Sequence, residues 1–224
     1  MRDNKTSQSA QEYDANIQKT IPLYAVIHEQ VLDLVKTLRA KPQDWLDAGC
    51  GTGILVEKAA GRFDKTNFIL SDPSDAMLEI AKNKLPQEAR FSFVLGATED
   101  LCRPSGSVDV ITAILSHHYV ETEIKRKITE NCYNMLKPGG VYINVESIRP
   151  LSEQGLQTGL ERWRQAQLNA GKSPDAVVKH ISRYGIEFLP SPASFHIELL
   201  HGAGFASAEL FWASYLQAGF YAVK

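Results

Sequence analysis

The chain has 224 residues, a length that suits one α/β domain with added helices and leaves two full domains cramped. Hydrophobic residues make up 44% and charged residues 22%, so a sizeable core needs neither disulfides nor metal, and disorder is expected only at the N-terminus. A formal net charge of -2 supplies no broad positive field, which argues against a phosphate backbone or an anionic membrane surface as partner.

The first residues, Met1 to Gln11, are polar and lack the apolar centre of a secretory signal. No uninterrupted apolar run approaches membrane-spanning length, so the expectation is a cytoplasmic protein. Cys50, Cys102 and Cys132 are odd in number, far apart and without a CxxC pair, which predicts reduced thiols rather than a disulfide framework or a zinc site.

In chain order, Tyr13 to Arg39 carries apolar residues at helical spacing, with Pro22 dividing a short first helix from a longer second. From Asp44 the pattern turns to short apolar runs alternating with amphipathic segments, the signature of βα units and a parallel sheet. Strands are predicted at Trp45–Ala48, Phe68–Leu70, Phe91–Leu95, Val108–Leu115 and Val141–Val145, and helices at Ile54–Phe63, Asp75–Leu85 and Thr122–Leu136. Gly96 to Ser107 reads as mostly loop, and Pro138-Gly139-Gly140 as a helix stop and tight turn before a strand. Between Pro150 and Pro192 the chain reads as a helical lid, with Trp163, Leu168, Val177, Val178 and Ile181 as packing positions. A helix at Ser194–Ala203 and two β-rich runs, Ala206–Ala213 and Leu216–Val223, close the chain as an antiparallel pair.

Asp47-Ala48-Gly49-Cys50-Gly51-Thr52-Gly53 follows a strand and opens a helix, so its glycines permit a tight turn and close approach of a ligand to the backbone. Helix N-terminal amides nearby favour a carboxylate. A nicotinamide dinucleotide fingerprint needs a third glycine where Ile54 stands.

This DxGxGxG spacing, with Asp72 ending the second strand and Leu136-Lys137-Pro138-Gly139-Gly140 before the fifth, resembles the class I methyltransferase family from Asp44 to Lys224. The resemblance implies a Rossmann-like, doubly wound seven-stranded sheet with the last strand antiparallel. It also implies a division into an N-terminal helical cap (1–43), a cofactor-binding core (44–149), a lid (150–192) and a C-terminal part of the sheet (193–224), all in one domain. S-adenosylmethionine is the implied cofactor and S-adenosylhomocysteine the product. Gly49, Cys50, Gly51, Thr52 and Gly53 would approach its methionine part, and Asp72 would accept from its ribose hydroxyls. A carboxylate at that distance also suits nucleoside recognition in general, since it can accept from two adjacent hydroxyls; Asp72 as a plain helix-start residue is the alternative. Pro73 and Met77 would cover the adenine face, Met77 being equally readable as a core methionine. Ala97, Thr98 and Glu99 would touch the adenine edge, Glu99 being equally readable as part of a solvated loop.

Methyl transfer from a sulfonium asks the protein mainly to hold a nucleophile in line and exclude water. Leu115-Ser116-His117-His118-Tyr119 follows the fourth strand at the carboxyl end of the sheet, where the switch-point crevice lies, and Leu115 is grouped with the cofactor residues. A histidine there suits a general base, His118 ahead of His117, with a structural role for each an equal alternative. A metal site from His117, His118 and Glu121 is not expected, because its ligands would have to converge across a strand-to-helix junction. Among the aromatic residues outside the core, Tyr13, Tyr24, Trp163, Tyr184, Trp212, Tyr215 and Tyr221, the first two are singled out as caps over the sulfonium.

Ile21-Pro22-Leu23-Tyr24, the helical insertion and the tail from His196 through Ala203-Gly204-Phe205 to Phe211-Trp212 are distantly similar to bacterial tRNA wobble-uridine carboxymethyltransferases. That branch holds a carboxylated cofactor with an arginine and a tyrosine, where this chain aligns Leu168 and Lys172. The bidentate grip is thereby lost and ordinary S-adenosylmethionine is expected. The expected partner is a small-molecule acceptor, with a homodimer allowed. A tRNA-modifying enzyme and a non-catalytic cofactor-binding regulatory subunit are the alternatives. Lys125, Arg126, Lys127, Arg162, Arg164, Lys172, Lys179 and Arg183 are the residues from which a local basic patch would have to be built.

Overall fold

Apolar runs a few residues long, spaced by amphipathic helices, have one economical arrangement: a sheet covered on both faces. The computed structural model, which describes residues 4, 6 and 8–224, shows such a sheet. Its strands are β1 (Asp44–Ala48), β2 (Asn67–Asp72), β3 (Phe91–Leu95), β4 (Val108–Ile114), β5 (Leu136–Ser147), β6 (Ser207–Ser214) and β7 (Gln217–Val223). They lie in the order β3-β2-β1-β4-β5-β7-β6, with β7 antiparallel to both its neighbours. The order reverses at β1, so the crevice beyond the carboxyl ends of β1 and β4 is the topological switch point.

Around the sheet are α1 (Ala10–Thr20), α2 (Tyr24–Leu38), α3 (Ile54–Ala60), α4 (Asp75–Lys84), α5 (Thr122–Met135), α6 (Glu153–Asn169), α7 (Pro174–Ile181) and α8 (Ala193–Gly202). The break between α1 and α2 falls at Pro22 as expected, with Leu23 in the left-handed region at φ 60°. Central strands buried on both faces supply two apolar layers, one beneath α2 and α3 around Trp45, Phe68 and Val110, the other beneath α5 and α8 around Ile111, Tyr142 and Phe220.

Two expectations are corrected and one is refined. Pro138-Gly139-Gly140 does not precede β5 but lies within it: Leu136 pairs with Val108 and Val141 with Val110, so the intervening residues bulge out, with Gly139 at φ 71°. The loop at 96–107 contains a 3₁₀ turn, Thr98–Asp100, tied down by the Asn131 side chain, which donates to the Thr98 and Leu101 carbonyls. In the insertion, Trp163 and Val177 are buried but Val178 is 63% exposed, because α7 is short and offers the core only one face.

At the amino end of the sheet Asp109 organises the junction with α2. Its carboxylate accepts from Arg39 (3.1 Å), Lys137 (2.8 Å) and the backbone amides of Gln43 and Asp44 (3.0 and 3.1 Å). Burial would raise this acid, but Lys137, the amides and Arg39 outweigh it and hold it below the usual carboxylate range. The insertion is anchored by Trp163, whose Nε1 donates to the Thr20 carbonyl at 2.7 Å, and by Lys172, which donates to Thr20 Oγ1 at 2.9 Å. Among the described residues no helix is long and apolar enough to cross a membrane.

Candidate functional site

The β1–α3 turn is built around three glycines with positive φ: Gly49 at 74°, Gly51 at 54° and Gly53 at 75°. Each has a different reason. A Cβ on Gly49 would stand 2.4 Å from Ser116 Cβ, so the loop can pass the end of β4 only without a side chain. A Cβ on Gly51 would meet nothing within 4 Å; it faces a cavity. Gly53 caps α3 and packs toward Ala81, 3.1 Å from where its Cβ would be, and does not line the cavity, so its place among the cofactor residues is corrected to a packing role.

The cavity has a volume of about 400 Å³ and lies over the switch point. Gly49, Cys50, Gly51, Thr52, Asp72, Pro73, Met77, Ala97, Thr98, Glu99, Leu115, Tyr13, Tyr24 and His117 all line it. Sequence reasoning passed over Asp47, His28, Ser74, Ser116 and Tyr119, which line it too. No lysine or arginine does so among the described residues.

Asp72 ends β2 with its carboxylate fixed from below: Gly51 N–H donates to Oδ2 at 2.8 Å and Ser74 N–H to Oδ1 at 2.9 Å. Each oxygen thus keeps acceptor capacity toward the cavity. Burial raises its pKa, against the pull of those two amides. Asp47 is buried more deeply. Thr112 Oγ1 donates to it at 2.7 Å, and burial, reinforced by the neighbouring Asp72 charge, pushes it up to about 7 despite that bond. Two acids side by side without a cation are expensive in a protein interior unless a ligand supplies the opposite charge.

The N-terminal helix closes one side. Tyr24 is buried and Tyr13 half-buried, with their hydroxyls in contact; desolvation, then the neighbouring Tyr24, raises Tyr13. Thr52 donates to Asp14 Oδ1 at 2.5 Å and Lys84 to Asp14 Oδ2 at 2.5 Å, so Asp14 fastens α1 to the glycine loop and to α4. Leu115, at the opposite wall, holds a left-handed backbone at φ 57° for which leucine has no intrinsic preference, strain of the kind that gathers at functional sites.

The two histidines part company. His117 reaches the cavity, with Nε2 3.1 Å from Thr98 Oγ1 and Nδ1 3.4 Å from Tyr142 Oη; burial lowers its pKa. His118 does not line this cavity. Its ring faces a smaller chamber of about 30 Å³, because its Nδ1 is held 3.1 Å from Glu146 Oε2. That chamber shares Tyr13, Leu115 and Tyr119 with the main cavity and adds Trp163, His180, Arg183 and Phe188 from the insertion. Tyr184, Trp212, Tyr215 and Tyr221 border neither space, and neither do Leu168 and Lys172, which the sequence alignment placed at the carboxylate grip. Glu121 caps α5 and belongs to no group of potential metal ligands among the described residues.

Residues 46–140 match the family model described as a methyltransferase domain. Over 98% of its length the chain is 24% identical to a carboxy-S-adenosyl-L-methionine synthase of Staphylococcus epidermidis, of which it covers 96%. A malonyl-[acyl-carrier protein] O-methyltransferase of Ilyobacter polytropus is 28% identical over 54% of the chain and 46% of that protein. In fold the chain is similar to human N-acetylserotonin methyltransferase in complex with SAM (TM-score 0.63, 16% identity, 90% of this chain). It is also similar to phosphoethanolamine N-methyltransferase 2 of Haemonchus contortus in complex with S-adenosyl-L-methionine (TM-score 0.62, 16% identity, 88% of this chain). The chain spans about half the length of each of these two solved proteins, 52% in both cases. A methyltransferase-domain match over residues 46–140 thus coincides with the glycine loop, the acidic crevice and the strand order, and over nearly its whole length the chain is distantly similar to a carboxy-S-adenosyl-L-methionine synthase.

Proposed function

We propose that this protein transfers a methyl group from S-adenosylmethionine to a small-molecule acceptor. The observation that carries the reading is the charge of the cavity: Asp47, Asp72 and Glu99 line it, and no lysine or arginine among the described residues does. That lining suits a ligand with a sulfonium and an ammonium, and it repels a phosphate-rich one.

Asp72 would hold the ribose hydroxyls through the acceptor capacity that its two amides leave. Asp47 would face the ammonium, which would draw it back toward the ionised state. Pro73, Met77, Ala97, Thr98 and Glu99 would frame the adenine, and Gly49, Cys50, Gly51 and Thr52 the amino-acid part. Tyr13, Tyr24 and Tyr119 would border the sulfonium with π faces and exclude water. When bound, the cofactor supplies an activated methyl group open to in-line displacement. Of the two histidines, His118 is the candidate proton acceptor, because His117 has both ring nitrogens hydrogen-bonded, to Thr98 and to Tyr142.

A second reading has an observation of its own. Arg183 borders the small chamber, with Nη2 2.9 Å from Glu187 Oε2, and a full-length relative is named for a carboxylated form of the cofactor. In that reading the chain makes such a compound.

Mass spectrometry separates the two. Incubating the protein with S-adenosylmethionine labelled in its methyl group and a panel of hydroxyl and amine acceptors is expected to yield a labelled acceptor and S-adenosylhomocysteine. A nucleoside product heavier by a carboxylate would replace the first reading by the second. Uptake of the cofactor without any product would support a regulatory subunit.

A further inference from the structure

Glu146 lies at the carboxyl end of β5, beside the turn His117–Tyr119 that follows β4, and is 1% exposed. Its two oxygens engage two successive residues: Oε1 accepts the His117 backbone N–H at 3.3 Å and Oε2 receives His118 Nδ1 at 3.1 Å. The charged and titratable groups facing it are His117, His118 and Tyr119 on the turn, Lys125 on α5, Tyr142 on β5 and His196 on α8.

The two rings are thereby assigned different surroundings. His117 has both nitrogens committed, Nε2 to Thr98 Oγ1 and Nδ1 to Tyr142 Oη, so it has no lone pair to offer an acceptor and instead braces Thr98 on the cavity wall. A neutral His118 that donates Nδ1–H to a carboxylate carries its lone pair on Nε2. No hydrogen bond to that nitrogen occurs among the described residues, and the ring lines the small chamber. Thr6, Tyr13, Leu115 and Tyr119 line both this chamber and the main cavity.

We propose that Glu146 is a positioning residue that sets both histidines at once, holding His117 against Thr98 on the cofactor side and turning His118 Nε2 into the small chamber to receive the acceptor's proton. The proposal rests on the methyltransferase reading and narrows its substrate class to acceptors whose reacting atom bears a proton, a hydroxyl or an ammonium. The acceptor atom gives that proton to Nε2 and uses its electron pair to bond the methyl carbon. The carbon–sulfur bond breaks with its pair left on sulfur, which becomes a neutral thioether. The chamber, about 30 Å³, has room for the reacting group and little more.

The test compares the wild type with Glu146→Gln, each checked for folding by circular dichroism, using imidazole ¹⁵N NMR and calorimetric titration with S-adenosylhomocysteine. The expected result is an Nδ1–H tautomer for His118 in the wild type that is lost in the variant. It is joined by a roughly fivefold weaker affinity for S-adenosylhomocysteine, the equivalent of one hydrogen bond. Thr98→Val is expected to reproduce the affinity loss without the tautomer change. A folded Glu146→Gln protein that keeps both the tautomer and the affinity overturns the proposal. Should that variant not fold, Glu146→Asp keeps the charge but withdraws it by one methylene, and an unchanged tautomer and affinity there would overturn it equally. If the wild type takes up no S-adenosylhomocysteine, the methyltransferase reading has failed, whereas the tautomer of His118 still reports on Glu146.

Discussion

The two ends of this sheet treat buried carboxylates in opposite ways. At the amino end Asp109 is met by Arg39, Lys137 and two backbone amides, and its pKa is depressed. At the carboxyl end Asp47 and Asp72 have no lysine or arginine on the cavity wall among the described residues, and burial, with the Asp72 charge adding to it, pushes Asp47 up to about 7. One end is electrostatically complete and serves stability; the other is incomplete until something positive arrives. A fold can carry such a deficit at one place when the remainder is well satisfied.

The comparison is broken most forcefully at the glycine loop. Gly49→Ala would place a methyl 2.4 Å from Ser116 Cβ on a backbone with positive φ. Overpacking and left-handed strain together are expected to cost about 3 kcal/mol, seen as a lower urea midpoint, together with loss of S-adenosylhomocysteine binding. Gly51→Ala faces open space, so it should cost only about 1 kcal/mol of stability while still obstructing the ligand. Equal damage from the two would show that the loop serves packing alone.

Next in size is Asp72→Asn, for which calorimetry should record an affinity for S-adenosylhomocysteine reduced some tenfold to a hundredfold, about 1.5–3 kcal/mol for charge-assisted hydrogen bonds. Asp109→Asn should do the reverse. Its contacts with Arg39 and Lys137 weaken, unfolding free energy drops by about 1–2 kcal/mol, and ligand affinity stays as it was.

The smallest effect is a pH dependence of opposite sign at the two ends. Asp47 has a folded pKa above its unfolded one, so the folded state binds more protons between about pH 4 and about pH 7, and the ligand-free protein loses stability as pH rises through that window. Asp109, with a depressed folded pKa, contributes stability above the ordinary carboxylate range that disappears as pH falls through its folded value. Thermal unfolding of Asp47→Asn should be flatter between pH 5 and pH 7 than the wild type, and a saturating dose of S-adenosylhomocysteine should flatten the wild type likewise; identical profiles for variant and wild type would contradict the assignment.

Much of this was legible in the residues because periodicity and turn chemistry are local. All seven strands, Pro22, and the DxGxGxG turn follow from the order of apolar, polar and glycine residues within short windows. The bulge at Pro138–Gly140 was misplaced because it depends on a neighbour: β4 supplies three residues, Val108–Val110, where β5 supplies six, Leu136–Val141, and no window on one strand shows that. That His118 lines the smaller chamber rather than the main cavity was hidden for a similar reason. Its ring is aimed by Glu146, 28 residues along the chain. The signal was present, since a glutamate directly after the apolar run Val141–Val145 is a buried charge at the carboxyl end of a central strand. Asp47 was read as part of a motif rather than as an acid lacking a cation, and the insertion lines the small chamber with Trp163, His180, Arg183 and Phe188 rather than with Lys172, which bonds Thr20.

The most direct measurement is a calorimetric titration of the unmodified protein with S-adenosylhomocysteine at pH 6 in two buffers of different ionisation enthalpy. One saturable site per chain is expected, with proton release on binding as Asp47 ionises against the ligand's ammonium, and no proton release in Asp47→Asn. Binding without any buffer-dependent heat would contradict the claim that the carboxyl end of the sheet awaits a cation, and no binding at all would remove the cofactor from the account.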